Sequence, residues 1–266
     1  MQVTRSGYYA WDKRPKSRKE QRRERISGLV EKEFHAGHRI PGARKIAEIL
    51  RSNGEKVSRG LVAKIMQEKG LKSRVVKKYK ATTNSKHSLP VAENLLSREF
   101  QAIRINEKWV SDITYVATDE GWLYVAGIMD LYGHEVVGWS MSERMTKELV
   151  INCLNQARGR RGNPRGVLLH SDRGSQYCSK DYQRLLQKHD FICSMSRKGN
   201  CWDNAPMESF WGKLKQEWLN DKRFKTRDEA KAAIFWYIEV YYRRKRLHEA
   251  NGYLTPEEYG KAAANF

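Results

Sequence analysis

The sequence predicts an α/β protein, a mixed sheet flanked by helices and preceded by an all-α helix-turn-helix-like domain. Two runs rich in aromatic and β-branched residues, Trp109 to Thr118 and Trp122 to Met129, are separated by Asp119-Glu120-Gly121, which is a hairpin signal. Short apolar strands then alternate with helical patterns, which favours a helix-covered sheet over a sandwich. Charge is divided unevenly: residues 1 to 86 hold 24 Lys or Arg against 8 Asp or Glu, and the remainder holds 27 against 23. Two units with different surfaces are therefore expected, the first suited to a phosphate backbone.

Composition narrows the function classes. A net charge of +20 over 266 residues points to polyanions, with nucleic acid the leading partner, and 39% apolar residues suffice for a buried core. The longest uncharged stretch of the most apolar region, Gly121 to Met129, is far short of the roughly 20 residues a spanning helix needs. No apolar segment follows Met1 as a secretory signal would require, so a cytoplasmic protein without a membrane partner is expected. The cysteines at 153, 178, 193 and 201 form neither a zinc pattern nor a disulfide framework, and are read as reduced, mostly buried thiols.

The elements follow in order. Residues 1–16 are read as a tail and 17–80 as the basic helical domain. Lys16 to Phe34 reads as a charged helix, and Gly42 to Arg51 as a second with Ile46, Ile49 and Leu50 on one face. Ser52-Asn53-Gly54 breaks the chain, and Ser58 then caps a third helix with an apolar stripe of Leu61, Val62, Ile65 and Met66. Arg59, Gly60, Ala63, Lys64 and Gln67 fall within about 140° of arc on its other face. Such a basic, amide-bearing face suits a recognition helix, with Arg59, Lys64 and Gln67 as DNA contacts. A small bundle with a solvated charged face is the alternative reading. Residues 81–104 are read as a linker, centred on the polar stretch Ala81 to Pro90.

Residues 105–262 are read as the catalytic core. After the hairpin come a strand at Val136 to Met141, a helix at Met145 to Arg158, a strand at Val167 to Leu169, a helix near Lys180 to Lys188 and a strand at Phe191 to Met195. Three acids stand out. Asp112 interrupts a strand whose faces should be covered, Asp172 follows a strand at the sheet edge where α/β proteins place sites, and Glu208 lies on a helix opened by Asp203-Asn204-Ala205-Pro206. On that helix the apolar stripe is Met207, Phe210, Trp211, Leu214 and Trp218. Glu208 lies about 90° from the stripe's centre with no basic residue three or four positions away, while Lys213 and Glu217 can pair. Lys215 returns to the side of Glu208 within about 20°. Carboxylates converging from separate elements are what a two-Mg²⁺ phosphoryl-transfer site requires. With 31 acids in the chain, however, spacing by itself does not single out this triple.

At these residues three blocks, Trp109-Val110-Ser111-Asp112-Ile113-Thr114-Tyr115, His170-Ser171-Asp172-Arg173-Gly174-Ser175-Gln176-Tyr177 and Asn200-Cys201-Trp202-Asp203-Asn204-Ala205-Pro206-Met207-Glu208-Ser209-Phe210, resemble the catalytic blocks of insertion-sequence transposases of the IS-three family. Asp172 and Glu208 have 35 residues between them, the spacing of the Asp, Asp, Glu core of the retroviral-integrase superfamily, and Lys215 stands at the family's basic position seven beyond the glutamate. Ser6 to Trp11, Pro41 to Ala47, Arg246-Leu247-His248 and Gly252 to Pro256 extend the resemblance over nearly the whole chain.

The resemblance implies a ribonuclease H-like integrase core with a mixed five-stranded sheet, in which Asp112 lies on the first strand, Asp172 just after the fourth and Glu208 on a following helix. It implies a DDE-type polynucleotidyl transferase that cuts insertion-element ends and joins the freed 3′-hydroxyl to a target duplex, using two Mg²⁺ or, in their place, Mn²⁺. Lys215 and Arg173 would hold phosphates, and synapsing two DNA ends would take a homo-oligomer. Family members are commonly completed by the product of an upstream overlapping frame. A non-catalytic DNA-binding or regulatory relative that needs such a fusion is thus an alternative function, and a ribonuclease H-like nuclease on hybrids is another. His170 and His248 are read as structural or phosphate-contacting rather than catalytic, and Asp130 and Asp203 as turn and cap residues. Trp202 is read as a base-stacking residue or a core or hinge residue.

Overall fold

The computed structural model describes residues 4–6, 9, 15–74, 90–197 and 200–264. The chain divides into two compact units, Met1–Val75 and Val76–Phe266. Most of the expected tail, and residues 81–89 of the expected linker, lie outside the described residues.

Helix α1 of the first unit (Arg18–Ala36) begins with a capping box: the Ser17 hydroxyl accepts from the Glu20 amide, and the Glu20 carboxylate accepts from the Ser17 amide. It buries Ile26, Val30 and Phe34 against Ile46, Ala47 and Leu50 of α2 (Ala43–Ser52) and Val62, Ile65 and Met66 of α3 (Arg59–Glu68). Gly54 lies between α2 and α3 with φ +85°, a left-handed conformation that a side chain would strain. Ser58 caps α3 by accepting from the Leu61 amide, as expected. Much of the charge on α1 is spent internally, since Arg23 donates to both oxygens of Glu68 and Arg25 to both of Glu55.

The second unit carries a five-stranded sheet of order β3-β2-β1-β4-β5: β1 (Lys108–Thr118), β2 (Gly121–Asp130), β3 (Glu135–Ser142), β4 (Leu168–Ser171) and β5 (Ile192–Met195). The first three form an antiparallel meander, and β4 and β5 join it in parallel, so β1 is central. One face is covered by α4 (Lys147–Arg160) and α5 (Lys180–Lys188), around Trp109, Ile128, Leu149, Cys153 and Leu186. Close approach of α4 depends on Gly138, where a Cβ would stand 2.6 Å from that of Ala157. The opposite face receives α6 (Ala205–Leu214), whose Trp211 lies on Gly127. The expected strands and helices occur with ends moved by one or two residues.

Beyond α6 the structure departs from the expected continuous helix. Lys215–Leu219 form a π-helical turn, and after α7 (Arg227–Phe235) a second π segment, Trp236–Tyr242, precedes α8 (Pro256–Ala264). The wider π turn shifts the phase, so Leu219 takes the buried position expected of Trp218. Trp218 instead stacks on Trp236, with centroids 4.1 Å apart. Glu217 does not serve Lys213 alone: Arg246 grips it with Nε and Nη2 (2.9 and 2.7 Å), and the Tyr237 hydroxyl donates to it at 2.6 Å.

Both sheet edges are partnered by non-strand groups. On β3 the Trp139 amide donates to the Gln156 side chain (2.7 Å), and on β5 the Met195 amide donates to the Glu93 carbonyl (3.1 Å). The latter belongs to residues 93–98, expected as linker but docked on the core, where Leu96 is buried and the Leu95 and Leu96 amides donate to Ser194 Oγ. No helix among the described residues is long and apolar enough to cross a membrane. Cys153 and Cys178 are buried free thiols and Cys193 a half-buried one.

Candidate active site

Asp112 occupies the middle of the central strand, and register brings Asp172 beside it. β1 and β4 run parallel with Val110 opposite His170, so two further steps along each chain reach Asp112 and Asp172. Glu208 comes from the first turn of α6, half-buried. Two contacts fix where that helix starts. Asn204 Nδ2 donates to the carbonyl of Ser111, the neighbour of Asp112 (3.0 Å), and Trp211 packs on Gly127, which lies opposite Asp112 on β2.

Electrostatics tie the three acids together. Burial raises the Asp112 carboxyl well above the usual range, and the charges of Asp172 and Glu208 push it the same way. Burial also raises Glu208. Asp172 Oδ1 accepts from the Gly174 amide (2.8 Å), which fixes the carboxylate just beyond the strand. Lys215 approaches the same place, its Nζ 4.9 Å from the Tyr115 ring centre. Burial pulls this amine down to about 8, against the opposing pull of Asp112.

Among the described residues no three Asp, Glu, His or Cys side chains are gathered tightly enough to ligate one ion as they stand. The donor chemistry nonetheless suits a hard divalent cation: the side chains are carboxylates, and the like charges that raise Asp112 are those a cation would offset. The residues present fit Mg²⁺ on that ground.

The other expected site residues have distinct placements. Arg59, Lys64 and Gln67 are exposed on α3, on the side away from its buried stripe. Arg173 has a structural bond, donating from Nε to the Ser196 carbonyl (2.6 Å). His170 is buried between two hydroxyls, Ser194 Oγ at 2.8 Å from Nδ1 and Ser196 Oγ at 3.1 Å from Nε2, and burial lowers it to about 4. Asp130 acts as a turn residue, accepting from the Asn106 and Tyr132 amides.

Asp203 is not a helix cap. It is wholly buried and accepts from Arg197 (Nε 3.0 Å, Nη2 2.9 Å), Arg98 (Nε 2.8 Å) and Asn94 (Nδ2 3.0 Å). These partners, chiefly Arg197, hold its carboxyl far below the usual range. Asp203, Asn204, Gly127 and Arg246 thus support the site without having been singled out for it. In the sequence the pair Asp203-Asn204 ahead of Pro206 suggests capping, and Arg246 stands only within the block Arg246-Leu247-His248 of the resemblance.

Comparison with known proteins agrees with this architecture. The integrase core domain family matches residues 103–201 and again 189–256, and the HTH-like domain family matches residues 21–79. The chain is 46% identical to the insertion element IS600 uncharacterized 31 kDa protein of Shigella sonnei, over 98% of each chain. It is 42% identical to transposase InsF for insertion sequence IS3A of Escherichia coli (strain K12), over 97% of this chain and 91% of that one. The HTLV-2 integrase catalytic core domain in complex with magnesium aligns with 60% of this chain and 99% of its own, at 16% identity and a TM-score of 0.48. With an integrase core, an HTH-like domain and this identity over nearly its full length, the chain belongs to the IS3-family InsF transposases.

Proposed function

We propose that this transposase cuts DNA at the ends of its insertion element and transfers the freed 3′ end to a target strand, with Asp112, Asp172 and Glu208 as its catalytic carboxylates. The observation that carries the reading is the convergence of carboxylates from three separate elements: strand register sets Asp172 beside Asp112, and the seating of α6 on the same strands brings Glu208 toward them. Asp172 stands just past the carboxyl end of β4, where α/β sheets place their sites, and the raised carboxyl of Asp112 beside it supports the same reading.

In-line displacement at phosphorus needs positioned oxygens and charge stabilisation rather than a protein nucleophile. Asp112, Asp172 and Glu208 would hold two Mg²⁺, or Mn²⁺ in their place, and when bound such ions supply activation of the attacking oxygen and stabilisation of the leaving one. Lys215, whose amine lies close enough to Asp112 to feel its charge, would hold a phosphate next to the scissile one. Arg59, Lys64 and Gln67 would contact duplex DNA in the first unit, and Arg173, whose Nε donates to the Ser196 carbonyl, would hold a DNA phosphate beside Asp172. Joining two ends calls for at least two copies of the chain.

The test is nicking and strand transfer on DNA carrying the element's own ends, with Mg²⁺ or Mn²⁺, comparing wild type with Glu208→Gln. Product from wild type alone is expected. Equal product from Glu208→Gln would refute the assignment. Silence from both, with DNA bound, would favour a binding protein or one that needs the upstream frame, and the fused frames would separate these.

A further inference from the structure

Trp202 is 69% exposed, although an indole is among the side chains that gain most from burial. Among the described residues nothing hydrogen-bonds to it or stacks on it. Its mounting is nevertheless rigid. It lies in the 3₁₀ turn Cys201–Asn204, and both following residues are fixed: Asp203 by Arg98, Arg197 and Asn94, and Asn204 by its bond to the Ser111 carbonyl. The exposure excludes a core role, and the bonds of Asp203 and Asn204 hold the chain that follows the indole.

Position gives the exposed ring a use. The Ser111 carbonyl that receives Asn204 adjoins Asp112, and Glu208 follows Trp202 by six residues on the same continuous segment. The guanidinium groups of Arg98 and Arg197, with side chains 43% and 56% exposed, share the single carboxylate of Asp203, so the residue next to Trp202 in the chain carries a surplus of positive charge around it. An exposed flat apolar face with positive charge held nearby suits an unpaired base on a phosphate backbone, because the base stacks while the phosphates stay near positive charge. Bases inside an intact duplex are covered by their neighbours and cannot offer that face.

We propose that Trp202 is the stacking platform for an unpaired base of the DNA end beside the scissile phosphate. The inference rests on the DNA-cutting function proposed above and adds a requirement that the end be frayed where it meets the protein. By stacking, the indole would stabilise the opened end and set the terminal strand against the carboxylates.

The test uses the full chain and a DNA end carrying 2-aminopurine at each terminal position in turn, with EDTA present so that nothing is cut. Wild type should quench the probe at one or two positions. Trp202→Tyr should retain the quench and Trp202→Ala should lose it, while anisotropy shows duplex affinity nearly unchanged, since phosphate contacts dominate affinity. With Mn²⁺, Trp202→Ala should nick a paired end about 10-fold more slowly and recover on an end with mismatched terminal pairs. An identical probe signal in wild type and Trp202→Ala at every position would overturn the proposal. Because the fluorescence is read without chemistry, a chain that cuts nothing still tests the stacking. Normal nicking with no probe response would refute the stacking while sparing the carboxylate assignment.

Discussion

Gly127 lies directly beneath the indole of Trp211: a Cβ at residue 127 would stand 2.9 Å from two of the ring's carbons and 3.1 Å from Cε of Met207. Trp211 is 2% exposed and has no room to yield. Gly127→Ala must therefore lift α6 from the sheet beside Asp112. Overpacking of this kind should cost about 1 to 3 kcal/mol in urea unfolding, and the lifted Glu208 should slow DNA nicking more than it weakens DNA binding. Unchanged nicking would mean that the seat of α6 does not set the geometry of the acids.

Asp112→Asn should abolish cleavage yet make the metal-free protein more stable at pH 7. The folded-state pKa of Asp112 lies above its unfolded value, so its contribution is favourable at low pH and is lost as pH rises through the folded value. Asparagine has no proton to lose and so does not carry this penalty as pH rises. Mg²⁺ should raise the melting temperature of wild type and leave Asp112→Asn less affected, because a ligand of the native state stabilises it. Equal shifts by Mg²⁺ would count against Asp112 as a ligand.

The Arg246–Glu217 pair holds the π-helical turn that carries Lys215, and both side chains are largely buried, at 8% and 15% exposure. Arg246→Met would leave a desolvated carboxylate without its counter-charge and should cost about 3 kcal/mol or more. Adding Glu217→Gln should recover part of that loss, so a double-mutant cycle on denaturation midpoints should show strong coupling. Additive effects would mean the pair is incidental.

His170 gives stability a dependence on pH. Its folded-state value of about 4 lies below its ordinary 6.5, so the neutral ring's contribution is complete above pH 6.5. As pH falls from 6.5 to 4 that contribution is lost, up to about 3 kcal/mol, because only the unfolded chain takes up the proton. His170→Gln should flatten this part of the curve, which urea unfolding at stepped pH would show.

How much was legible in the sequence depended on the range of the interactions. β-branched runs, turn residues and the Ser58 cap are local signals, and they located the strands and α3 to within a residue or two. Asp112 stood out by interrupting a strand, Asp172 by following one at the sheet edge, and Glu208 by having no basic residue three or four positions away. Interactions that close over long stretches of chain were not visible. Asp203 looked like a cap because two of its partners, Arg98 and Asn94, lie more than a hundred residues away, and the third, Arg197, six residues before it, stands at no helical spacing. Glu217 looked like a partner for nearby Lys213, but Arg246 reaches it from beyond the next helix. The π turn at Lys215–Leu219 has no periodic signature, since its five residues are too few to display one.

The partnered edges of the sheet bear on how the protein fares at high concentration. A bare edge strand is a template on which another chain can add itself, and fibres grow in that way. Here the Gln156 amide occupies one rim and the Glu93 carbonyl the other, each with a single well-placed bond. Neither group belongs to a strand, so neither can pass the template on. At Trp139 and at Met195 an incoming strand would have to displace a bond already made.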